Sequence, residues 1–154
     1  MHSRLDYKKI APEAYGSMLG LESYVKQSGL EASLLELVRI RASQINSCAY
    51  CLDMHTKDAR AAGETEQRLY LLEAWRESPF YTERERAALS WTEAVTRISE
   101  GSVPDELYED VRQKFTEKEL VDLTMAIVAI NGWNRLAIAF RSMPGAHQPL
   151  SYKK

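Results

Sequence analysis

The sequence predicts an all-α protein, a single-domain helical bundle of about six to seven helices. Three observations carry this. Apolar residues recur at three- and four-residue spacing along nearly the whole chain, and no alternating apolar–polar run lasts more than a few residues. The periodic stretches are also bounded by Pro, Gly and Ser/Thr-x-x-Glu patterns, which start and stop helices. At 154 residues the chain can bury a real core, and its 45% hydrophobic content suits a folded globular domain. The domain is expected over residues 1–145, with a loose tail over 146–154.

The first helix starts at Pro12, a good first-turn residue, and runs to about Gln27 with Gly29 beyond it. Gly16 and Gly20 lower its intrinsic propensity, so it depends on packing. The second opens at Ser33-x-x-Glu36, a capping-box pattern, carries Leu34, Leu37, Val38 and Ile45, and ends near Asn46 or Ser47. The third, capped by Ser47, holds the only two cysteines and ends at Gly63, a candidate C′ glycine. A fourth runs from Glu66 to Trp75 and is stopped by Ser78-Pro79. The fifth opens at Thr82-x-x-Glu85 and ends before Gly101, and the sixth runs from Pro104 to about Phe115. The last opens at Thr116-x-x-Glu119 and reaches about Arg141, before Met143-Pro144-Gly145. It is apolar around much of its circumference, which suits the core or a subunit interface.

Shifting the sequence by 83 residues aligns Ser33 with Thr116 and Glu36-Leu37-Val38 with Glu119-Leu120-Val121. The same shift sets Cys48 and Cys51 on Asn131 and Asn134, and His55 on Ile138. Either two similar amphipathic helix starts or a true duplication would produce this pattern.

A net charge of −2 gives no electrostatic reason to expect nucleic acid or an anionic membrane as partner. The N-terminus shows no signal-peptide pattern, and no uninterrupted apolar run approaches a membrane span. The expected compartment is the cytoplasm, where a Cys-x-x-Cys pair points to catalysis or metal binding rather than a structural staple.

On a helix, Cys48, Cys51 and His55 share one face. Three readings compete for them. In the first they are a dithiol redox centre. The helix N-terminus favours a thiolate at Cys48, Cys51 stands one turn on, and His55 moves protons one turn further. The second is a zinc site, which would normally need a fourth ligand; His2 and His147 lie near the termini without ligand spacing. The third is purely structural: two buried thiols and a satisfied core histidine. Glu36 reaches this site only if the second and third helices fold back on each other; otherwise it caps its own helix.

Glu36-x11-Cys48-x2-Cys51-x3-His55 resembles the signature of the AhpD-like alkylhydroperoxidases of the carboxymuconolactone decarboxylase superfamily. Arg41, Ser43, Asn46 and Cys48 in one run, and Asn134-Arg135-Leu136-Ala137, are similar to that family too, and the likeness spans about residues 10–145. The resemblance implies an all-helical fold and a homo-oligomer (trimer, dimer or hexamer). It assigns Cys48 and Cys51 as a redox-active disulfide pair, and Glu36 and His55 as the proton relay. It implies reduction of organic hydroperoxides with no bound cofactor and no metal. An external dithiol partner, lipoyl-type or thioredoxin-like, would reset the pair. Cys51, nearest His55, is expected to attack first and Cys48 to resolve; the helix N-terminus, which favours the Cys48 thiolate, supports the opposite order.

The chain departs from the best-known members at Tyr50, where they carry a histidine between the cysteines; a phenol is a poor proton shuttle at neutral pH. Tyr50, Trp91, Trp133 and Phe140 are candidates to line an apolar substrate pocket. Ser43, Asn46 and Arg135 are candidates beside it, and Arg39, Arg41 and Arg135 are candidates for an anionic substrate or an interface pair. Two other functions remain open: a carboxymuconolactone decarboxylase-type lyase, which has no evident use for vicinal thiols, and a non-enzymatic thiol redox sensor.

Overall fold

The computed structural model describes residues 2–149. Among these residues the chain is all helical, without strands. The elements are α1 (Tyr7–Ile10), α2 (Pro12–Gln27), α3 (Ala32–Ile45), α4 (Ala49–Ala61) and α5 (Glu66–Leu71), continued by a 3-10 turn (Leu72–Glu77). Then come α6 (Glu83–Thr96), α7 (Asp105–Arg112) and α8 (Glu117–Phe140). The seven longer helices fall where the periodicity places them. The short α1 carries too few residues to show a period, and is held by Asp6, whose side chain accepts from the Lys8 N–H. The fourth expected helix is interrupted: backbone at Ala74 is non-helical, and the chain tightens into the 3-10 turn.

Local chemistry sets most of the ends. Thr82 with Glu85, and Thr116 with Glu119, form complete capping boxes. Gly63 takes a φ of 101° after α4, the left-handed conformation that favours glycine. Ser33-x-x-Glu36 is not a capping box. The N-cap of α3 is Glu31, without a side-chain cap bond, so Ser33 already lies inside the helix and Glu36 is released for other partners. Ser47 is not the N-cap of α4 either; Cys48 is.

α3 packs against α4, α6 and α8, and α8 also packs against α2, α4, α6 and α7, so α3 and α8 are the central pair. One apolar cluster joins Val25, Leu34, Val38, Trp91, Val111, Phe115, Leu123 and Ile127. A second joins Leu37 and Ile40 to Leu72, Trp75, Tyr81 and Leu89. A third, smaller cluster holds Ala42, Ile130 and Ala137 with both cysteines. By length and composition alone α8 could cross a membrane, contrary to the sequence expectation, but here it is the core helix of the bundle. Val121, Val128 and Ile138 on it remain exposed.

The tail is not loose where it is described. Gly145 N–H donates to Asp53 Oδ2 at 2.9 Å, Lys57 Nζ donates to the Gly145 and His147 carbonyls, and His147 Nε2 lies 2.7 Å from Asp58 Oδ1. These contacts dock residues 145–147 on α4. The remainder of the expected tail, 150–154, lies outside the described residues.

Candidate active site

The turn between α3 and α4 fixes the two cysteines. Cys48 N–H donates to the Ser43 carbonyl at 2.9 Å, Ser47 N–H to the Gln44 carbonyl at 3.1 Å, and Ser47 has a φ of 55°. This is a Schellman motif with serine in the left-handed position. Cys48 is therefore the last residue of one helix's termination and the N-cap of the next. Its Sγ accepts from the Cys51 N–H at 3.4 Å.

The two sulfurs are 2.6 Å apart, and each cysteine is about 1% exposed. The S–H that Cys51 donates is the largest influence on Cys48. It brings that thiol from its ordinary 9.0 to about 7, against burial and with help from backbone N–H groups and the Asn134 amide. The same contact pushes the Cys51 thiol up, and burial adds to the rise. The first proton thus leaves the pair readily and the second does not. The α4 N-terminus, with its partial positive charge, favours the anion at Cys48 as well.

One turn beyond Cys51, His55 Nδ1 lies 2.9 Å from Glu36 Oε2. The fold-back of α4 on α3 brings the carboxylate across nineteen positions of sequence, so Glu36 partners His55 rather than capping its own helix. Glu36 Oε1 also accepts from Arg39 Nη1 at 2.6 Å, and Arg39 Nη2 is paired with Glu22 of α2. Glu22 Oε2 in turn accepts from the Trp133 indole at 3.3 Å. Burial alone would raise the Glu36 carboxyl; the hydrogen bonds and charges of His55 and Arg39 outweigh it and hold the carboxyl below its ordinary 4.5. A chain of hydrogen bonds and ion pairs therefore runs from α4 to α3 to α2, ending at an aromatic wall.

This chain borders a cavity of about 370 Å³. Cys51, Tyr50, Met54 and His55 face it from α4, Trp133 and Ala137 from α8, and Tyr15 and Leu19 from α2, with Tyr7 beside them. Tyr15 packs edge-on against Trp133 at 5.7 Å and against Tyr7 at 6.2 Å. Cys51 lines the cavity, and Cys48 lies behind it.

The structure thus brings Glu36, Cys48, Cys51 and His55 together, with Tyr50 and Trp133 at the cavity. It corrects the other pocket candidates. Ser43 and Asn46 do not line the cavity. Asn134 Nδ2 donates to Ser43 Oγ at 3.0 Å, and Asn46 Nδ2 donates to the Asn134 and Asn131 amide oxygens at 2.8 and 3.0 Å. These four side chains join the end of α3 to α8 beneath the thiols. Arg135 is exposed and donates to the Asn131 carbonyl one turn back. Trp91 is in the core, donating to Thr124 Oγ1 at 3.0 Å, and Phe140 stacks on Tyr7 outside the cavity lining. Arg41 binds Glu93 in a buried pair that Trp75 and Arg76 complete. Among the described residues no group of three His, Cys, Asp or Glu side chains is arranged to hold a metal; His55 is committed to Glu36. The sequence reading missed Glu22 and Asn134 as partners of the site. The one available signal for Glu22 was its place on the same α2 face as Tyr15 and Leu19.

Comparison with known proteins gives consistent matches. The family model for the carboxymuconolactone decarboxylase family matches residues 12–94. The uncharacterized Bacillus subtilis protein YdfG is 50% identical over 139 residues, covering 90% of this chain and 95% of its own length. A solved structure from Agrobacterium tumefaciens, of unknown function and suggested to be the antioxidant defence protein AhpD, superposes with a TM-score of 0.91. It is 48% identical and covers 95% of this chain and 100% of its own. The debrominase Bmp8, solved with 2,3,4-tribromopyrrole, shares the fold at a TM-score of 0.80 and 19% identity, over 90% of this chain and 74% of its own.

Proposed function

This chain belongs to the carboxymuconolactone decarboxylase family and is AhpD-like, and on that footing we propose that it is a thiol peroxidase and disulfide oxidoreductase acting on organic hydroperoxides. The observation that carries the reading is the pair of adjacent sulfurs, one of them facing an apolar cavity, with a histidine–carboxylate pair one turn away.

In the proposed cycle the thiol pair gives up one proton, which His55 takes while Glu36 holds it by Nδ1 and stabilises it when charged. The Cys51 proton passes across the short sulfur–sulfur contact to the Cys48 thiolate as Cys51, the sulfur with access to the cavity, attacks the terminal peroxide oxygen. The O–O bond breaks, the alcohol leaves with the proton from His55, and Cys51 becomes a sulfenic acid. Cys48 then attacks that sulfur, its proton leaves with the hydroxide as water, and the disulfide forms. Two electrons have passed from the dithiol to the peroxide. An external dithiol, lipoyl-type or thioredoxin-like, returns them by exchange. The proposal includes a cytoplasmic setting and a homo-oligomer, in which the exposed apolar residues of α8 are surface to be covered.

The test is consumption of cumene hydroperoxide with dihydrolipoamide, compared with thioredoxin and glutathione as reductants. Turnover by the wild type and none by Cys48→Ser or Cys51→Ser is expected. In a single turnover, Cys48→Ser should still form one sulfenic acid and Cys51→Ser none. Wild-type consumption no faster than that of the double Cys→Ser variant would sink the reading.

A further inference from the structure

Three acids, Glu22, Glu36 and Asp58, and three cations, Lys8, Lys26 and Arg39, line the cavity, and they are not paired one to one. Glu36 is shared by His55 and Arg39, Arg39 is shared with Glu22, and Asp58 is paired with His147. Each of the three acids of the lining thus has a partner, and two lysines do not. Lys8 and Lys26 line the same cavity, and neither forms an ion pair among the described residues. Lys8 Nζ lies over the Tyr15 ring at 5.3 Å from its centroid, so its charge already has an aromatic face as neighbour. Among the described residues Lys26 has no such contact.

The shape of the lining orders these groups. Tyr15, Leu19, Glu22 and Lys26 follow one another at spacings of four, three and four residues, so they form one face of α2. At 1.5 Å per residue that face runs about 16 Å. Its aromatic end is Tyr15 against Trp133 and Tyr7, and its far end is Lys26. A basic residue in the last turn of α2 also suits the helix dipole. The dipole does not explain why the cavity engages all three of its acids internally and leaves the two lysines without an ion pair.

We propose that the natural occupant of this cavity is an anionic amphiphile: an organic hydroperoxide whose apolar body lies on Tyr15, Leu19 and Trp133 and whose carboxylate is held at the rim by Lys26, with Lys8 as a secondary attraction. The inference rests on the peroxidase reading for its chemistry and on the cavity alone for its binding. Both lysines are exposed, so each contributes modestly, about threefold to fivefold in affinity, and less at high salt.

Binding is read without chemistry, by calorimetry of decanoate and of 1-decanol on the whole protein. The wild type should bind decanoate more tightly. Lys26→Gln should lower that preference about threefold to fivefold, Lys8→Gln should lower it less, and raised salt should shrink it in the wild type. Turnover is read with a medium-chain hydroperoxy acid and its methyl ester. There the preference should appear in KM rather than kcat, because the carboxylate contact is the same before and during reaction. Equal binding of decanoate and decanol, or a preference untouched by Lys26→Gln, overturns the proposal. A decanoate preference lost in Lys26→Gln, without hydroperoxide turnover, upholds the anion site and removes the peroxidase reading. Turnover of acid and ester with equal KM upholds the peroxidase and removes the anion site.

Discussion

Replacing Cys51 by alanine and by serine should separate the two sulfurs' roles in acidity. In the structure the leading cause of the low Cys48 pKa is the hydrogen bond donated by the Cys51 thiol. At a pKa of about 7, half of Cys48 is thiolate at neutral pH; at the ordinary 9.0 about 1% would be. The difference of about two units corresponds to about 2.7 kcal/mol of preference for the anion at 1.36 kcal/mol per unit. Cys51→Ala removes the donor, so the Cys48 midpoint should climb toward 9. Cys51→Ser keeps an O–H in the same place, so the midpoint should stay well below 9. The assay is thiolate absorbance near 240 nm against pH, which needs no reagent to reach a buried sulfur. The sign for stability follows. A depressed pKa stabilises the folded state fully above the unfolded value, and that part is lost as pH falls from about 9 to about 7. Denaturant midpoints of Cys51→Ser should therefore rise over that interval more than those of Cys51→Ala. An alanine variant with its midpoint still near 7 would refute the hydrogen bond as the cause.

Three further outcomes follow from the same geometry. Arg39→Leu strips the buried cation from between Glu22 and Glu36 and should cost about 3–5 kcal/mol in urea unfolding; a loss under about 1 kcal/mol would mean the pairing is not felt. Because Glu36 is held below its ordinary value, its stabilisation is present above the carboxylate range and lost as pH falls through it, so this variant should begin acid unfolding at higher pH than the wild type. Tyr50→His puts an imidazole on the cavity wall between the cysteines, and kcat/KM for cumene hydroperoxide should rise about tenfold or more; an unchanged value would show that the phenol is no handicap. Ser47→Gly relieves the left-handed φ of 55° and should raise stability by about 0.5–1 kcal/mol in the same unfolding assay, where a loss would contradict the strain.

The bundle was legible because its helix ends are written in short-range chemistry. Pro12, Thr82 with Glu85, Thr116 with Glu119, and Gly63 each act within a turn of themselves. Ser33 with Glu36 has the same spelling and misleads. There the partners His55 and Arg39 engage the carboxylate, and the N-cap falls two residues earlier, at Glu31, without a side-chain cap bond. Ser47 misleads in the other direction, since a left-handed turn without glycine leaves little trace in sequence. Glu22 and Asn134 were not legible as site partners because their roles depend on α2 and α8 crossing α3, which no local pattern encodes. Ser43 and Asn46 stood out in the motif, yet spacing could not show that they turn away from the cavity and toward α8. The shift of 83 residues acquires a physical counterpart. Asn131 and Asn134 of the unbroken α8 stand beside the broken α3–α4 turn, where Asn46 bonds to both.

The segments that flank the bundle have a consequence for redesign. Tyr7 and Lys8 come from before the long helices, and His147 from after them, yet all three face the cavity. The reactive turn, by contrast, is clamped between two core helices. Part of the cavity wall is thus carried by pieces of chain separate from the thiols. Those pieces can be regrafted at a few peripheral residues, leaving the thiol chemistry in place. An engineer seeking a new guest would begin at residues 3–10 and 143–149 and leave α3 and α4 alone.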